Sequence, residues 1–182
     1  MSEAGKTKVY LAKTLKSMMS EIPFEQITVT MLCDRCGINR KSFYYHYKDK
    51  YDVINWIFDT EFREYAELGD TLNAVAKLEC CSRYLYDNRA FYSKALEIRG
   101  QNSFSEHFRE TIYRLIKEYY RATLDKKDIT EFQIDFFSDA IAVAFHRWLC
   151  REDSMTTEEF LEQLLECARL IRADYDKLGI EE

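Results

Sequence analysis

The sequence contains very little proline and glycine, with one proline and five glycines among 182 residues. Strands need many tight turns and helices need few, so this scarcity favours an all-helical protein. No apolar run approaches the roughly 20 residues that span a bilayer. Residues 1–8 also lack the apolar stretch of a secretory signal. We therefore expect no membrane contact and a cytoplasmic location.

Sequence signatures of enzymes and metal sites are lacking as well. No Gly-rich phosphate loop, nucleophile elbow or pair of catalytic acids is present, so we predict neither catalytic residues nor a cofactor. Cys33 and Cys36 have the spacing of half a zinc site, but no second ligand pair matches them. His146 and Cys150 are one helical turn apart without a third ligand. We expect free cysteines and no bound metal.

The net charge of −6 is distributed unevenly along the chain. Residues 1–50 hold nine Lys and Arg against five Asp and Glu, a balance of +4. The remaining residues hold 17 basic against 27 acidic side chains, a balance of −10. A basic end can hold phosphates while an acidic remainder stays off the duplex. The first 50 residues are therefore the candidates for nucleic-acid binding.

Apolar residues recur at helical spacing along most of the chain and predict about nine helices. We expect a DNA-binding domain at residues 1–50 and a second helical domain at residues 51–182, rigidly joined by the long fourth helix. Capping boxes, which hold a helix N-terminus through residues three positions apart, are predicted at Ser103–Glu106, Asp128–Glu131 and Thr156–Glu159. A further helix is expected to begin at Asp70.

Two short helices joined through Gly37 indicate a helix-turn-helix. Thr28 and Asn39 are the expected N-caps of these helices. Gly37 follows the end of the first helix, where a residue of positive φ is often needed. Phe43 is expected in the core, where it packs the third helix of the chain on the first.

The segment 27–50 resembles the signature of TetR-family transcriptional regulators, in which Gly-Val-Ser is followed by Thr-Phe-Tyr-x-His-Phe and a lysine. Gly37, Phe43, Tyr44, His46 and Lys50 stand at the matching positions. The resemblance implies an all-α fold, with an N-terminal three-helix DNA-binding domain and a C-terminal helical domain for effector binding and dimerisation. Segments 55–58 and 147–149 also resemble a subgroup that includes regulators of dihydroxyacetone kinase operons.

The recognition helix of such a motif enters the major groove and meets base edges with its N-terminal residues. Arg40 and Lys41 are expected to reach guanine, although a solvated pair of charges is the alternative. The resemblance implies phosphate or groove-edge contacts for Tyr44, His46 and Lys50, and His46 could instead be structural. The start of the fourth helix, at Lys50, also favours an anion. The complete predicted DNA-binding set is Thr28, Thr30, Asn39, Arg40, Lys41, Tyr44, His46 and Lys50.

The last two predicted helices have small and large apolar residues that suit a homodimer, as the resemblance also implies. Their candidate interface residues are Ala140, Ala144, Phe145, Trp148, Leu164 and Leu165. Aromatic residues in the middle helices suit either an effector pocket or an ordinary core. The candidate effector-binding residues are Arg83, Arg99, Phe104, His107 and His146. The alternative to a small-molecule effector is a protein partner that docks on the second domain.

Overall fold

The computed structural model describes residues 3–67, 74–100, 103–123, 130–152 and 155–177. Over these residues the chain forms nine α-helices and no strand, which confirms the all-α prediction. The helices are α1 Glu3–Glu21, α2 Val29–Cys36, α3 Arg40–His46, α4 Lys50–Glu67, α5 Ala74–Asp87, α6 Arg89–Glu97, α7 Phe104–Thr123, α8 Glu131–Cys150 and α9 Thr157–Lys177. None of these described helices is long and apolar enough to cross a membrane.

The connection between α2 and α3 has the local geometry that the sequence predicts. Thr28 is the N-cap of α2, and its hydroxyl oxygen accepts the Met31 N–H at 3.1 Å. Gly37 follows α2 at φ 65° and ψ 30°, a left-handed conformation that residues with a Cβ rarely adopt. Asn39 is the N-cap of α3, and its side-chain oxygen accepts the Ser42 N–H at 2.8 Å. The predicted helix-turn-helix is confirmed.

Two of the predicted capping boxes differ in outcome. At α9 the box is present, because the Thr156 N–H donates to the Glu159 carboxylate at 2.8 Å and the Glu159 N–H donates to the Thr156 hydroxyl at 3.2 Å. At α8 the prediction is wrong: Thr130 is the N-cap and Gln133 completes the box. The predicted cap, Asp128, lies outside the described residues. A capping box can be formed by threonine with glutamine as well as by aspartate with glutamate. The sequence therefore allowed the helix to begin after Asp128 or after Thr130.

Helices α1, α2 and α3 pack around one apolar centre and form what we call the head (residues 3–49). Leu11 of α1, Leu32 of α2 and Phe43 of α3 are fully buried there. Tyr47, just after α3, is also buried, and its hydroxyl donates to the Lys8 carbonyl oxygen at 2.9 Å. Burial raises the pKa of the Tyr47 phenol. The core position expected for Phe43 is confirmed.

Helix α4 connects the head to the body, by which we mean the described residues from 74 to 177. Phe58 of α4 is fully buried among aromatic rings of the body. Its centroid lies 5.2 Å from that of Phe104, 5.7 Å from that of Phe108 and 6.0 Å from that of Tyr92. Offset and edge-to-face pairs of this kind stabilise a core beyond the area they bury. The predicted start of the next helix, Asp70, lies outside the described residues.

A single carboxylate links the head to two helices of the body. Glu61 of α4 accepts hydrogen bonds from the hydroxyls of Tyr84 on α5 and Tyr92 on α6, and from the ammonium of Lys16 on α1. The Lys16 ammonium also donates to the side-chain oxygen of Asn88 at 3.2 Å. A hydrogen-bond network couples the groups that share it. Helix α1 is therefore attached to the body by side-chain hydrogen bonds as well as by the covalent connection through α4.

Candidate nucleic-acid interface

The outer face of α3 is the centre of the candidate interface. The turn at Gly37 sets the direction of α3, and the buried ring of Phe43 holds its inner face on the head. Arg40 and Lys41 on the first turn, and Tyr44 one turn later, are exposed. Two cations and a phenol therefore lie on the helix that enters the major groove in a helix-turn-helix.

Arg40 and Tyr44 contact each other along this face. The Arg40 Nη2 donates to the Tyr44 hydroxyl oxygen at 3.2 Å, and the guanidinium carbon lies 5.8 Å from the centre of the Tyr44 ring. The hydrogen bond raises the pKa of the Arg40 guanidinium, which stays charged. The Tyr44 ring is itself set edge-on against Phe43, with centroids 5.3 Å apart. The cation predicted to read bases is thus connected to the buried core through two rings.

The flanking members of the predicted set occupy the ends of α2 and α3. Thr28, Thr30 and Asn39 are exposed. Thr28 and Asn39 use their side-chain oxygens as caps, but a hydroxyl and an amide each keep a donor that can reach a phosphate. His46 is half-buried and contacts the ring of Tyr45 edge-on, with centroids 5.0 Å apart. For Thr28 and Asn39 the capping role is compatible with the predicted contact to DNA.

Lys50 is placed differently from the expected phosphate contact. Its ammonium donates to the backbone carbonyl oxygens of Ile27 at 2.7 Å, Phe24 at 2.8 Å and Glu25 at 3.4 Å. An ammonium has three N–H donors, so these carbonyls engage all of them. Burial lowers the pKa of Lys50. The side chain fastens the connection between α1 and α2 to the start of α4, and reaching a phosphate would cost these bonds.

The start of α4 is capped by carboxylates of the protein itself. The Lys48 N–H donates to the Asp52 carboxylate at 2.9 Å, and the Asp52 N–H donates to the Asp49 carboxylate at 2.8 Å. Negative groups at a helix N-terminus are favoured by its partial positive charge. The attraction for an anion that the sequence predicts at this end is therefore met in part by Asp49 and Asp52.

Two other cations of the head, Arg35 and Lys8, contact protein groups. Arg35 of α2 makes two hydrogen bonds of 2.9 Å to the Glu21 carboxylate of α1, which raise the pKa of Arg35 and lower that of Glu21. The Lys8 ammonium lies 5.1 Å from the ring centre of Tyr47 and 5.0 Å from that of Trp56. A count of charges in the sequence could not show that Arg35 and Lys8 contact protein groups while Arg40 and Lys41 lie on the exposed face of α3.

The predicted set omits Tyr45, whose side chain is 78% exposed on α3. This is a large exposure for an aromatic residue, and it falls in the middle of α3. Residues four apart lie on one face of a helix, so Tyr45 lies beside Lys41. The four-residue spacing between Lys41 and Tyr45 could have indicated from the sequence that Tyr45 shares the face of Lys41.

The two cysteines of α2 lie toward the protein interior. Cys33 is buried and Cys36 is half-buried, and desolvation raises the pKa of both thiols. Metal binding needs the thiolate, which such an environment disfavours. Across the part of the chain that the structure describes, no three potential ligands among His, Cys, Asp and Glu come together.

The candidate effector-binding residues of the body have different surroundings. Phe104 is buried in the aromatic core, and Nε2 of His107 lies 2.7 Å from the Asp59 carboxylate of α4. Arg83 is exposed on α5, where it pairs with Glu79 and with Glu158 of α9. The other two predicted residues are exposed, Arg99 beyond the end of α6 and His146 on α8.

A cleft of about 300 Å³ lies elsewhere, between the end of α1 and α6. Its walls are residues 19–25 together with Lys94, Glu97 and Ile98. The Lys94 ammonium donates to the Met19 carbonyl oxygen at 2.9 Å across this region. None of the five predicted effector-binding residues lines the cleft, so its lining gives no support to that set.

The predicted dimer residues divide between the surface and the interior of the protomer. Ala140 is exposed, whereas Ala144, Leu164 and Leu165 are half-buried. Phe145 and Trp148 are buried within the protomer, where the Trp148 ring stacks on that of Phe160 at a centroid distance of 4.1 Å. Side chains already enclosed by their own protomer offer no area to a second one. This corrects the expectation that Phe145 and Trp148 supply interface surface.

Three apolar residues of α8 that were not in the predicted set are exposed instead. Phe132, Phe136 and Val143 have exposed fractions of 76%, 56% and 46%. With Ala140 they follow the spacing of four, four and three residues that keeps side chains on one side of a helix. We call these four residues the α8 stripe. An exposed apolar stripe of this composition is typical of a surface that is covered in an assembly.

Comparison with known proteins identifies a matching family and a similar curated protein. Residues 73–169 match the TetR C-terminal family described as "Transcriptional regulator C-terminal region". The HTH-type dhaKLM operon transcriptional activator DhaS of Lactococcus lactis subsp. lactis (strain IL1403) is 30% identical over 93 residues. That match covers 50% of each chain, so the chain spans about half the length of the curated relative it matches. It agrees with the dihydroxyacetone kinase subgroup named from the sequence.

Solved structures of similar fold cover nearly the whole chain. A TetR transcriptional regulator from Streptococcus agalactiae 2603V has a TM-score of 0.71 and 22% identity, over 91% of this chain and 94% of that one. The dihydroxyacetone kinase operon activator DhaS has a TM-score of 0.65 and 23% identity, over 88% and 93%. A putative TetR-family regulator from Syntrophomonas wolfei has a TM-score of 0.68 and 10% identity, over 92% and 95%. At these identities the likeness establishes the fold.

Proposed function

Because the chain belongs to the TetR family of transcriptional regulators, we propose that it binds a specific DNA operator through α2 and α3, as a homodimer. The observation that carries this proposal is the exposed face of α3, where Arg40 and Lys41 stand on the first turn. Arginine and lysine there can reach the O6 and N7 acceptors of guanine in the major groove. Operators lie on the chromosome, so the proposal places the protein in the cytoplasm.

Phosphate contacts in this proposal come from the groups around α3. Thr28, Thr30 and Asn39 carry donors at the two helix starts, while Tyr44 and His46 follow on α3. Contacts of this kind set the position of the protein on the duplex without choosing a sequence. Lys50 enters as a residue that holds the connection between α1 and α2 in place, because its ammonium is bonded to three carbonyl oxygens.

Dimerisation is the second part of the proposal, because one helix-turn-helix reads too few base pairs to define an operator alone. We place the interface on α8 and α9, with the α8 stripe as its apolar centre. Ala140 lies within the stripe and allows a close approach, while Phe132 and Phe136 supply exposed area. A two-fold dimer then presents its recognition helices to a palindrome with half-sites about 34 Å apart per helical turn.

Control of DNA binding through the body is the third part. Helix α4 runs from the head into the body, where Phe58, Asp59 and Glu61 all contact other helices. A displacement there is passed to the head, and a change of a few Å in half-site spacing spoils simultaneous docking. An effector must bind the two arrangements with different affinity in order to shift them.

The packing of the body favours a protein partner over a small molecule as this effector. A ligand entering beside Phe104 has to displace rings that already contact it on several sides, including Phe58 and Tyr92. A protein that docks on the outer surface of the body displaces no core residue. The similar protein from Lactococcus lactis is named as an activator, so a test of this control should measure activation as well as repression.

Selection from a library of random DNA duplexes by the full-length protein tests the DNA-binding proposal. We expect the wild type to enrich a two-fold symmetric sequence, and Arg40→Ala and Lys41→Ala to enrich different ones. Arg83→Ala is the matched control, because it removes the same kind of charge from the body and should enrich the wild-type sequence. A wild-type protein that enriches no sequence would contradict the proposal.

Sedimentation equilibrium at micromolar concentration tests the dimer. The wild type is expected to be dimeric and Phe136→Glu to be monomeric, because a charge in the α8 stripe has to be buried without a partner. Leu115→Glu is the control, since Leu115 is an exposed apolar residue of α7 outside the stripe. A monomeric wild type, or an equal effect of both substitutions, would count against this interface.

A further inference from the structure

The outer face of α3 carries two columns of side chains that differ in how they are held. In one column Arg40 and Tyr44, four residues apart, are joined by the 3.2 Å hydrogen bond and by the position of the guanidinium over the ring. In the other column Lys41 and Tyr45 have the same spacing, but the Tyr45 ring contacts His46. Tyrosine therefore has different neighbours at two adjacent positions of one helix.

The contact with Tyr44 restricts a side chain that would otherwise be mobile. Ordering a free arginine costs free energy, because its long side chain loses rotamer freedom. Tyr44 has only two side-chain torsions, and its edge-on contact with buried Phe43 holds the ring. Arg40 is thus placed by a chain of contacts that begins in the core of the head, before any DNA is bound.

The contact leaves the guanidinium able to read a base. Arginine has five N–H donors, and the bond to Tyr44 uses one of them. Bidentate recognition of guanine needs two donors, one for O6 and one for N7. The Tyr44 hydroxyl accepts from Arg40, so its own proton remains for a phosphate oxygen or a water molecule.

We propose that Tyr44 is a positioning residue for Arg40, and that it contributes to the choice of DNA sequence as well as to affinity. This inference rests on the proposed function, because it assumes that α3 lies in the major groove. Under this proposal Tyr44 holds the base-reading Arg40 in position, in addition to any contact that it makes with the DNA backbone. A phosphate contact strengthens binding to every sequence equally, whereas the support of a base-reading arginine acts only on the sequence that Arg40 recognises.

The experiment compares Tyr44→Phe with Tyr45→Phe, which removes the same hydroxyl from the adjacent residue of the same exposed face. Full-length protein is first used to select a duplex from a random library. Dissociation constants are then measured for that duplex and for duplexes changed at each base pair, over a series of salt concentrations. The base pair at which Arg40→Ala loses its preference identifies the position that Arg40 reads.

At that position we expect Tyr44→Phe to reduce discrimination between the correct and the changed base pair by about three- to tenfold, a part of what a bidentate contact supplies. Tyr45→Phe should leave the discrimination at this base pair unchanged, because the Tyr45 ring contacts His46 and not the Arg40 guanidinium. The slope of affinity against salt concentration should be the same for Tyr44→Phe as for the wild type, since no charged phosphate contact is removed. In an Arg40→Ala background, Tyr44→Phe should have no further effect on discrimination.

Two results would overturn the inference, and they are distinguishable. If the wild type selects a sequence but Tyr44→Phe weakens binding to all duplexes by one factor, with or without Arg40, then Tyr44 contacts only the backbone and the proposed function stands. If the wild type selects no sequence, the proposed function itself fails and this inference fails with it.

Discussion

The head and the body differ in how well their predicted functional residues agree with the structure. In the head, Arg40, Lys41 and Tyr44 lie together on the exposed face of α3. In the body, Phe104 is a core residue and Arg83 forms exposed ion pairs. The DNA contacts themselves stay predictions, but the head brings Arg40, Lys41 and Tyr44 to one surface, whereas Phe104 and Arg83 of the body have different surroundings.

The difference reflects the kind of signal that each prediction used. The head was predicted from residues at a defined spacing, in which Gly37 and Asn39 determine how α3 leaves the turn. The body was predicted from its aromatic content, which suits a pocket and a core equally well. In the structure the rings around Phe58 pack against one another. Residues at defined positions along the chain constrain where a side chain lies, whereas the aromatic content of a segment does not.

Phe58→Ala should have the largest effect and tests whether the interior of the body is filled. We expect the free energy of unfolding to fall by about 3–5 kcal/mol, because the substitution leaves a cavity among buried rings. Urea unfolding at one protein concentration measures the loss. The control is Tyr45→Ala on α3, which removes an aromatic ring that is 78% exposed and opens no core cavity. A loss for Phe58→Ala below about 1 kcal/mol would indicate a loosely packed body and favour a small-molecule pocket.

Lys50→Met should have an intermediate effect and tests the assignment of Lys50 to the structure of the head. Loss of the bonds to the carbonyl oxygens of Phe24 and Ile27 should weaken binding to all duplexes by roughly tenfold, or about 1.4 kcal/mol. The salt dependence of binding should not change. A direct phosphate contact would instead lower the slope by about 0.9. Binding titrations at several salt concentrations distinguish the two roles, and a reduced slope would restore the phosphate contact expected from the sequence.

Arg83→Ala should have the smallest effect. Arg83 pairs with Glu79 and Glu158, but all three side chains are about half exposed. Exposed ion pairs contribute little to stability because water and salt screen them. Urea unfolding should therefore show only a small loss of stability, which diminishes further at high salt. A larger loss that persists in salt would mean that the contact between α5 and α9 depends on this residue.

Local features of the fold were determined by the sequence alone. The caps at Thr28 and Asn39, the left-handed Gly37 and the box at Thr156 and Glu159 each depend on residues three or four positions apart. Interactions of this range are visible as spacing, and a side chain that caps a helix needs no distant partner. For this reason the existence of the helix-turn-helix and its exposed face could be predicted before the structure was known.

Tertiary structure alone decided which face of α8 is inside and where the Lys50 ammonium lies. Helix α8 has large apolar residues on both sides, so periodicity could not show that Phe145 and Trp148 are buried while Phe132 and Phe136 are exposed. The carbonyl partners of Lys50 are 23 to 26 residues away in the chain. Contacts at this distance depend on how whole helices pack, because only packing brings such groups together and removes them from water.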